Sequence, residues 1–324
     1  MRTTDVSILR CPTCGNSSFQ LASAAPDAEV TGEIACGSCN GRFPVIDGIP
    51  RFVPKENYAA SFGFQWHIHY STQLDSYTGR PFSENRLFTA SKWPKDLRGQ
   101  TILEAGSGAG RFTEVLAKTG ADVFTFDLSN AVEVNRRSNG KYPNVRFFQA
   151  DLLNIPFRHQ GFDKVICLGV IQHTPDPGAS FDSLARHVKP GGSLVIDCYA
   201  KRWTHVIGWK YILRPITRKM DKPKLYGIID RWVTRLLPLS TILRKNFGAV
   251  GARILPILNY AHWGLPPELN KQWSTLDTFD HYSPYYDRPQ TLKTVRGWYE
   301  KNGFRDIDVR YGANGIVASG VRPA

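Results

Sequence analysis

Between Thr101 and Phe112 the chain reads Thr-Ile-Leu-Glu-Ala-Gly-Ser-Gly-Ala-Gly-Arg-Phe. A short β-rich run, Thr101 to Ala105, breaks at once into Gly106-x-Gly108-x-Gly110 and then resumes with helical periodicity. Three glycines at that spacing describe a strand-to-helix turn whose backbone must approach a ligand with no Cβ in the way. A strand that passes through such a turn into a helix belongs in a parallel sheet with crossover helices.

The flanking sequence follows that plan. Further β-rich runs fall at Asp122 to Asp127, Val145 to Gln149, Asp163 to Leu168 and Ser193 to Cys198, separated by helical stretches. Near the C-terminus a helical stretch, Thr291 to Asn302, precedes runs at Asp306 to Tyr311 and Ile316 to Val321. The turn Ala313-Asn314-Gly315 between those last two is too short for a parallel crossover, so they must be antiparallel. Residues 1–54 read as a compact module rich in Cys, Gly and Pro, and 55–98 as an aromatic, helical cap. The core is expected over 99–200 and 288–324, interrupted by a basic helical insertion at 201–287. With 324 residues the chain can bury roughly three quarters of its unfolded surface, enough for a full domain and these additions.

Asp127 stands about twenty residues beyond the glycine turn, at the end of the next predicted strand, where a carboxylate can accept both hydroxyls of a ribose. The G-x-G-x-G spacing departs from the dinucleotide fingerprint G-x-G-x-x-G, which seats a pyrophosphate; a nicotinamide-dependent dehydrogenase is the competing reading. The stretch Ile102 to Phe112 resembles the first motif of class I S-adenosyl-methionine-dependent methyltransferases. The resemblance continues through Phe126-Asp127-Leu128-Ser129, Gln149-Ala150-Asp151-Leu152, Cys167 to Thr174 and Val188-Lys189-Pro190-Gly191-Gly192. It implies an α/β fold with a seven-stranded doubly wound sheet, the last strand antiparallel. It further implies that S-adenosyl-methionine lies against Gly106, Gly108, Gly110, Leu128, Leu152 and Leu168, with Asp127 on the ribose and Asp151 on the adenine amino group. Glu104 falls near the amino-acid end of the cofactor. Taken alone Asp151 could cap a helix; its place among the ordered motifs favours the cofactor role.

Four of the six cysteines form two pairs, Cys11-x2-Cys14 and Cys36-x2-Cys39, while Cys167 and Cys198 sit alone in apolar runs. The pairs fit a closed four-thiolate zinc site of structural type, since no open position remains for substrate. A disulfide framework would require a secreted chain. Together with Gly48-Ile49-Pro50-Arg51-Phe52, this segment resembles the zinc-ribbon activator subunit of tRNA and protein methyltransferases, fused here to a catalytic domain.

A sulfonium is already a good leaving group for methyl transfer, so a base is needed only when the acceptor must lose a proton. His173, just past the fourth predicted core strand, is the first candidate, with packing of the Thr174-Pro175-Asp176-Pro177 loop as its other reading. His281 and Tyr282, in the run Asp277 to Tyr286, are the second, against ordinary loop packing. The run Phe62 to Trp66 with Gln73 and Asp75 is expected to form a lid, with core packing as its other reading.

Residues 201–253 hold thirteen Lys and Arg against Asp221 and Asp230, which concentrates +11 of the chain's +13 there. Leu225, Ile228, Ile229, Trp232, Val233 and Leu236 recur at helical spacing, predicting an amphipathic helix that Pro238 ends. Trp203, Trp209, Tyr211 and Trp232 among the cations suit a phosphate-bearing partner, an anionic membrane surface or nucleic acid, with a solvated face on a dimerising or lid helix pair as the other reading. The reading that follows is methyl transfer to a small biosynthetic acceptor, a sugar or lipid-linked saccharide, on a resemblance to methyltransferases found with cell-surface polysaccharide genes. An rRNA or tRNA methyltransferase and a non-catalytic cofactor-binding scaffold are the alternatives. Met1 to Asp5 lacks signal-peptide character and no apolar run spans a bilayer, so a cytoplasmic location is expected, peripheral to the inner membrane face if the basic stretch binds lipid.

Overall fold

A computed structural model of the chain describes residues 1–21, 29–54, 57–201 and 208–324. Its centre is a seven-stranded sheet built from β5 (Thr101–Ala105), β6 (Asp122–Asp127), β7 (Val145–Gln149), β8 (Phe162–Leu168), β9 (Val188–Cys198), β10 (Arg305–Gly312) and β11 (Gly315–Val321). The strand order is β10-β11-β9-β8-β5-β6-β7. β9, β8, β5, β6 and β7 are mutually parallel, and β11 runs antiparallel to both its neighbours. The predicted fold class and the direction of the last strand therefore hold. β9 starts at Val188 instead of Ser193 because Gly191 and Gly192 exchange backbone hydrogen bonds with Arg322 beyond β11.

Alternate residues of the strands feed two cores. Leu103, Phe124, Phe126, Phe148, Val165, Leu194 and Ile196 pack on one face. Ile102, Val123, Val145, Phe147, Ile166 and Val195 pack on the other. This period of two, with both faces apolar, is what a sheet covered by helices on both sides requires. α3 (Phe82–Ser91), α4 (Arg111–Ala117) and α5 (Ala131–Asn139) belong with the second face, α6 (Pro177–Arg186) and α10 (Leu292–Lys301) with the first. α6 starts where it does because Asp176 accepts from the Gly178 and Ala179 backbone amides while Pro177 occupies the first turn.

The N-terminal module is a four-stranded antiparallel sheet, β1 (Phe19–Leu21), β2 (Gly32–Cys36), β3 (Arg42–Ile46) and β4 (Ile49–Pro50). Leu9, Val30, Ile34, Phe43 and Phe52 join the same apolar cluster as Phe148 and Phe157. The module lies along the β7 edge: the Phe52 amide donates to the Gln149 carbonyl at 2.8 Å, and Arg51 reaches Gln149 Oε1 and Glu133 Oε1, each at 3.0 Å. An exposed parallel edge is a template for pairing with other chains, and this arrangement covers it.

Residues 57–98 contain three helices, α1 (Ala60–Ile68), α2 (Asp75–Thr78) and α3. The insertion consists of α7 (Trp209–Thr217), α8 (Lys222–Gly251) and α9 (Pro267–Tyr282). Arg202 and Trp203 lie outside the described residues. Two expectations are corrected here. Pro238 does not end its helix: α8 continues past it and departs from helical geometry only at Gly248, with φ 58° and ψ −136°. Buried Leu225, Ile229 and Val233 before the proline and Ser240 after it hold the helix on the body of the protein, offsetting the one hydrogen bond that proline cannot make. The run from Asp277 to Tyr282, expected as loop, is instead the end of α9, anchored by fully buried Phe279 and Leu276.

Candidate active site

The sheet order reverses at β5, which has β6 on one side and β8 on the other. Loops leaving the C-terminal ends of strands diverge at such a point and leave a crevice between them. The glycine turn opens into this crevice. Gly106, Gly108 and Gly110 have φ of +74°, +54° and +92°, the left-handed region that glycine occupies without penalty. A Cβ on Gly106 would lie 2.4 Å from Val170, and one on Gly110 2.1 Å from Asn135. The Gly106 and Ser107 amides donate to the Phe126 carbonyl, which ties the turn to the end of β6.

Asp127 holds the turn from the other side. Its Oδ2 accepts from the Gly108 amide at 2.8 Å, and its Oδ1 from the Ser129 amide and hydroxyl at 2.8 and 2.7 Å. Burial pushes its pKa up, against these donors. Glu104 Oε2 accepts from Thr113 and Thr125 at 2.6 and 2.8 Å, whereas Oε1 is buried with no partner. Burial raises the Glu104 pKa to about 7.

A single cavity of about 930 Å³ runs from this turn to the insertion. Ligand cavities span roughly 300–1,000 Å³, so this one has room for a cofactor together with an acceptor. Its far wall is rich in aromatic side chains, among them Phe82, Tyr199, Tyr260, Trp263 and Trp273. Two acids are held there by phenols: Tyr199 donates to Asp280 Oδ2 at 2.9 Å, and Tyr260 donates to Asp277 Oδ2. Burial, with Asp280 nearby, lifts the Asp277 pKa to about 6. Arg111 hydrogen-bonds Gln73 Oε1 at 2.8 Å and Ser83 Oγ at 3.1 Å, both neutral groups. Burial, then Arg86, brings its pKa down to about 9. Lys210 pairs with Asp287 at 2.8 Å and lies 4.2 Å over the Tyr199 ring.

His173 lies between the two ends of the cavity. Its Nδ1 is 3.0 Å from the Tyr286 carbonyl, which can only accept, so Nδ1 carries the proton and Nε2 keeps its lone pair. Its ring packs on Phe62 and Tyr199, and burial lowers its pKa. His281 also lines the cavity, its pKa brought down to about 4 by burial and Lys210. Tyr282 touches the cavity but donates its hydroxyl to the Pro256 carbonyl at 3.0 Å.

Of the residues singled out in the sequence, Gly106, Gly108, Asp127, Leu128, Leu152 and Leu168 thus share one cavity with His173, His281 and Tyr282. The expected lid supplies Phe62, Gln65, Trp66 and Gln73 to its wall. Glu104, Gly110 and Asp151 are not among the residues that line it; Asp151 Oδ1 accepts from the Leu153 amide at 2.9 Å. Sequence reasoning assigned no role to Arg86 or Tyr199, and read Arg111 only within the glycine motif and Lys210 only as one of the thirteen cations of the insertion. Tyr199 directly follows β9, at the same sheet edge as the glycine turn, and that position is the signal that could have found it.

The four paired cysteines converge at a separate place. Their Sγ atoms lie within 4.8 Å of one another, with Cys11 to Cys39 and Cys14 to Cys36 both at 3.7 Å. A tetrahedron of zinc–sulfur bonds about 2.3 Å long has edges of about 3.8 Å, so the donor set fits zinc. All six cysteines are free of disulfides, and none lines the cavity. The ion would be structural.

Residues 103–196 match the methyltransferase domain family. The ubiquinone biosynthesis O-methyltransferase of Pectobacterium carotovorum subsp. carotovorum is 32% identical over 195 residues, covering 57% of this chain and 78% of that protein. The chain belongs to the S-adenosyl-methionine-dependent methyltransferases. The namesake enzyme of Pectobacterium atrosepticum is 33% identical over 158 residues, 46% of this chain. The methyltransferase spans 66% of that relative and 51% of the one from Psychrobacter arcticus. Among solved structures, the complex of the Haloferax volcanii Trm112 methyltransferase activator with a methyltransferase aligns over 84% of this chain and 100% of that chain, at 14% identity and a TM-score of 0.48.

The site of this methyltransferase fits the family's cofactor. Ser107 Oγ, on the turn that lines the cavity, is buried without a partner among the described residues, an arrangement that costs free energy unless a ligand supplies one. A Cβ on Gly108 would come 3.0 Å from Trp66, closing the space the turn leaves open.

Proposed function

We propose that the chain methylates a hydroxyl of a small ring-bearing acceptor, a saccharide, held in the cavity between the glycine turn and α9. The observation that carries this reading is the far wall: flat aromatic faces stand beside paired acceptors and donors, Asp277 with Gln73 and Asp280 with Tyr199. Apolar ring faces and edge hydroxyls of a sugar need that combination. The relatives are named as O-methyltransferases, which supports a hydroxyl acceptor.

When bound, S-adenosyl-methionine supplies an electrophilic methyl group and needs no activation from the protein. The chain's part is to place the acceptor, exclude water and receive one proton. His173 suits the last task, because the Tyr286 carbonyl fixes the tautomer in which Nε2 accepts. Its lowered pKa keeps it neutral at physiological pH and shifts the acid limb of the pH profile below the usual histidine range. His281 offers a second neutral imidazole on the same cavity.

The test is cofactor turnover with nucleotide sugars, lipid-linked saccharides, phenols and structured RNA offered separately. Saccharides should be methylated, and His173→Gln should lower kcat about 10²-fold or more while leaving cofactor affinity within about twofold. Turnover on RNA or phenols alone would overturn the acceptor assignment, and an unchanged kcat would remove His173 from the chemistry.

A further inference from the structure

The exposed apolar side chains of this protein are unevenly placed. Of the fifteen large hydrophobic residues that are exposed among the described residues, eight lie between 209 and 254. On α7, Trp209, Ile212 and Ile216 recur at three- and four-residue steps, while Arg214 and Thr217 turn inward. On the second half of α8 and just beyond it, Phe247, Val250 and Ile254 are exposed, with Val250 at 73%. The Trp209 indole donates to the Ile254 carbonyl at 2.9 Å, which joins the two groups into one face.

The charge around this face has a single sign. From Gly208 to Met220 and from Arg231 to Pro267 the sequence has no Asp or Glu. Arg218, Lys219, Arg235, Lys245 and Arg253 are exposed, and none of them enters an ion pair among the described residues. Apolar residues exposed beside unpaired cations are the surface chemistry of a protein that lies on an anionic bilayer. A second copy of the chain would bring an equal excess of positive charge against this face, which argues against self-association. No helix among the described residues is long and apolar enough to cross a membrane.

The face also borders the active-site cavity. Trp209, Lys210 and Tyr211 at the start of α7, and Arg253, Leu255 and Pro256 after α8, belong to the cavity wall. We propose that α7 and the C-terminal half of α8 seat this protein on an anionic lipid surface, so that the cavity receives an acceptor anchored in that bilayer. This rests on the proposed small-acceptor reading and names where the acceptor resides. The apolar side chains enter the interface and the cations meet lipid phosphates.

The experiment is co-sedimentation of the full chain with vesicles of phosphatidylcholine alone, and of phosphatidylcholine and phosphatidylglycerol in equal parts. Binding to the anionic vesicles is expected to exceed binding to the neutral ones by about tenfold or more and to weaken with added salt. The double variant Ile216→Asp, Val250→Asp should lose about tenfold or more of that binding, and Lys245→Glu should lose a few-fold. Calorimetric cofactor binding should be unchanged in all of them, which shows that they fold. No binding to either vesicle would overturn the proposal. So would a dimer in light scattering that Ile216→Asp dissociates, because the face would then be an interface between copies. Methylation of soluble saccharides that persists in either case leaves the proposed function standing, so the two readings fail separately.

Discussion

At Asp127 two oxygens hold the glycine turn, and the same carboxylate is expected to hold a ribose. The Gly108 and Ser129 amides already occupy one direction at each oxygen, and a carboxylate oxygen has a second lone pair to offer. Asp127→Ala therefore removes a ligand contact and also orphans two buried amides, at roughly 1–3 kcal/mol for each group left unsatisfied. Calorimetry should show cofactor affinity falling by about tenfold or more; unchanged affinity would place the ribose elsewhere. Glu104 predicts a pH effect of definite sign. Burial lifts its folded pKa to about 7 from the 4.5 of a solvated glutamate, so the folded state holds the proton more tightly than the unfolded state. The stability this contributes is complete below the unfolded pKa and is lost as pH rises through about 7. Glu104→Gln cannot lose a proton, so its melting temperature should gain on that of the wild type across this window. Parallel curves would mean that Glu104 stays ionised. Both residues could be found in the sequence because each ends or precedes a local turn. Arg111 could be read as part of a motif, but not as a buried cation facing Gln73, which comes from a distant segment.

The elements follow local rules except where packing outweighs them. Asp176 and Pro177 start α6 as capping chemistry dictates, whereas Pro238 fails to stop α8. A mid-helix proline forfeits the amide that would bond the residue four before it and crowds that carbonyl. Pro238→Ala should restore the bond and stabilise the protein by up to about 3 kcal/mol, seen as a higher melting temperature. An unchanged or lower one would mean that the helix already accommodates the proline without that cost. The same competition explains α9. Its last turns contain His281 and Tyr282 among aromatic and acidic residues that look like loop in sequence, yet Leu276 and Phe279 bury one side of the helix completely.

For the whole molecule, the zinc ribbon and the sheet form one apolar core, with Leu9, Ile34 and Phe43 in the cluster that contains Phe148 and Phe157. Removing the metal with a chelator should lower the melting temperature by several degrees and promote association through the uncovered β7 edge. A melting curve indifferent to chelation would show that the four thiols hold no ion. The glycine turn, Asp127, the paired cysteines and the strand–helix alternation were legible in the sequence because each depends on neighbours within one turn, one strand or one C-x2-C loop. Those features determined the α/β fold, the metal donor set and the cofactor end of the site. Only the tertiary structure decided the far end of the cavity. Arg86 sits on α3 of the cap, Tyr199 follows β9, Lys210 lies in the first turn of α7, and Asp277 and His281 sit on α9. These side chains share a cavity because the helices pack across the sheet switch point, and contacts between segments so far apart leave no spacing in the sequence to read.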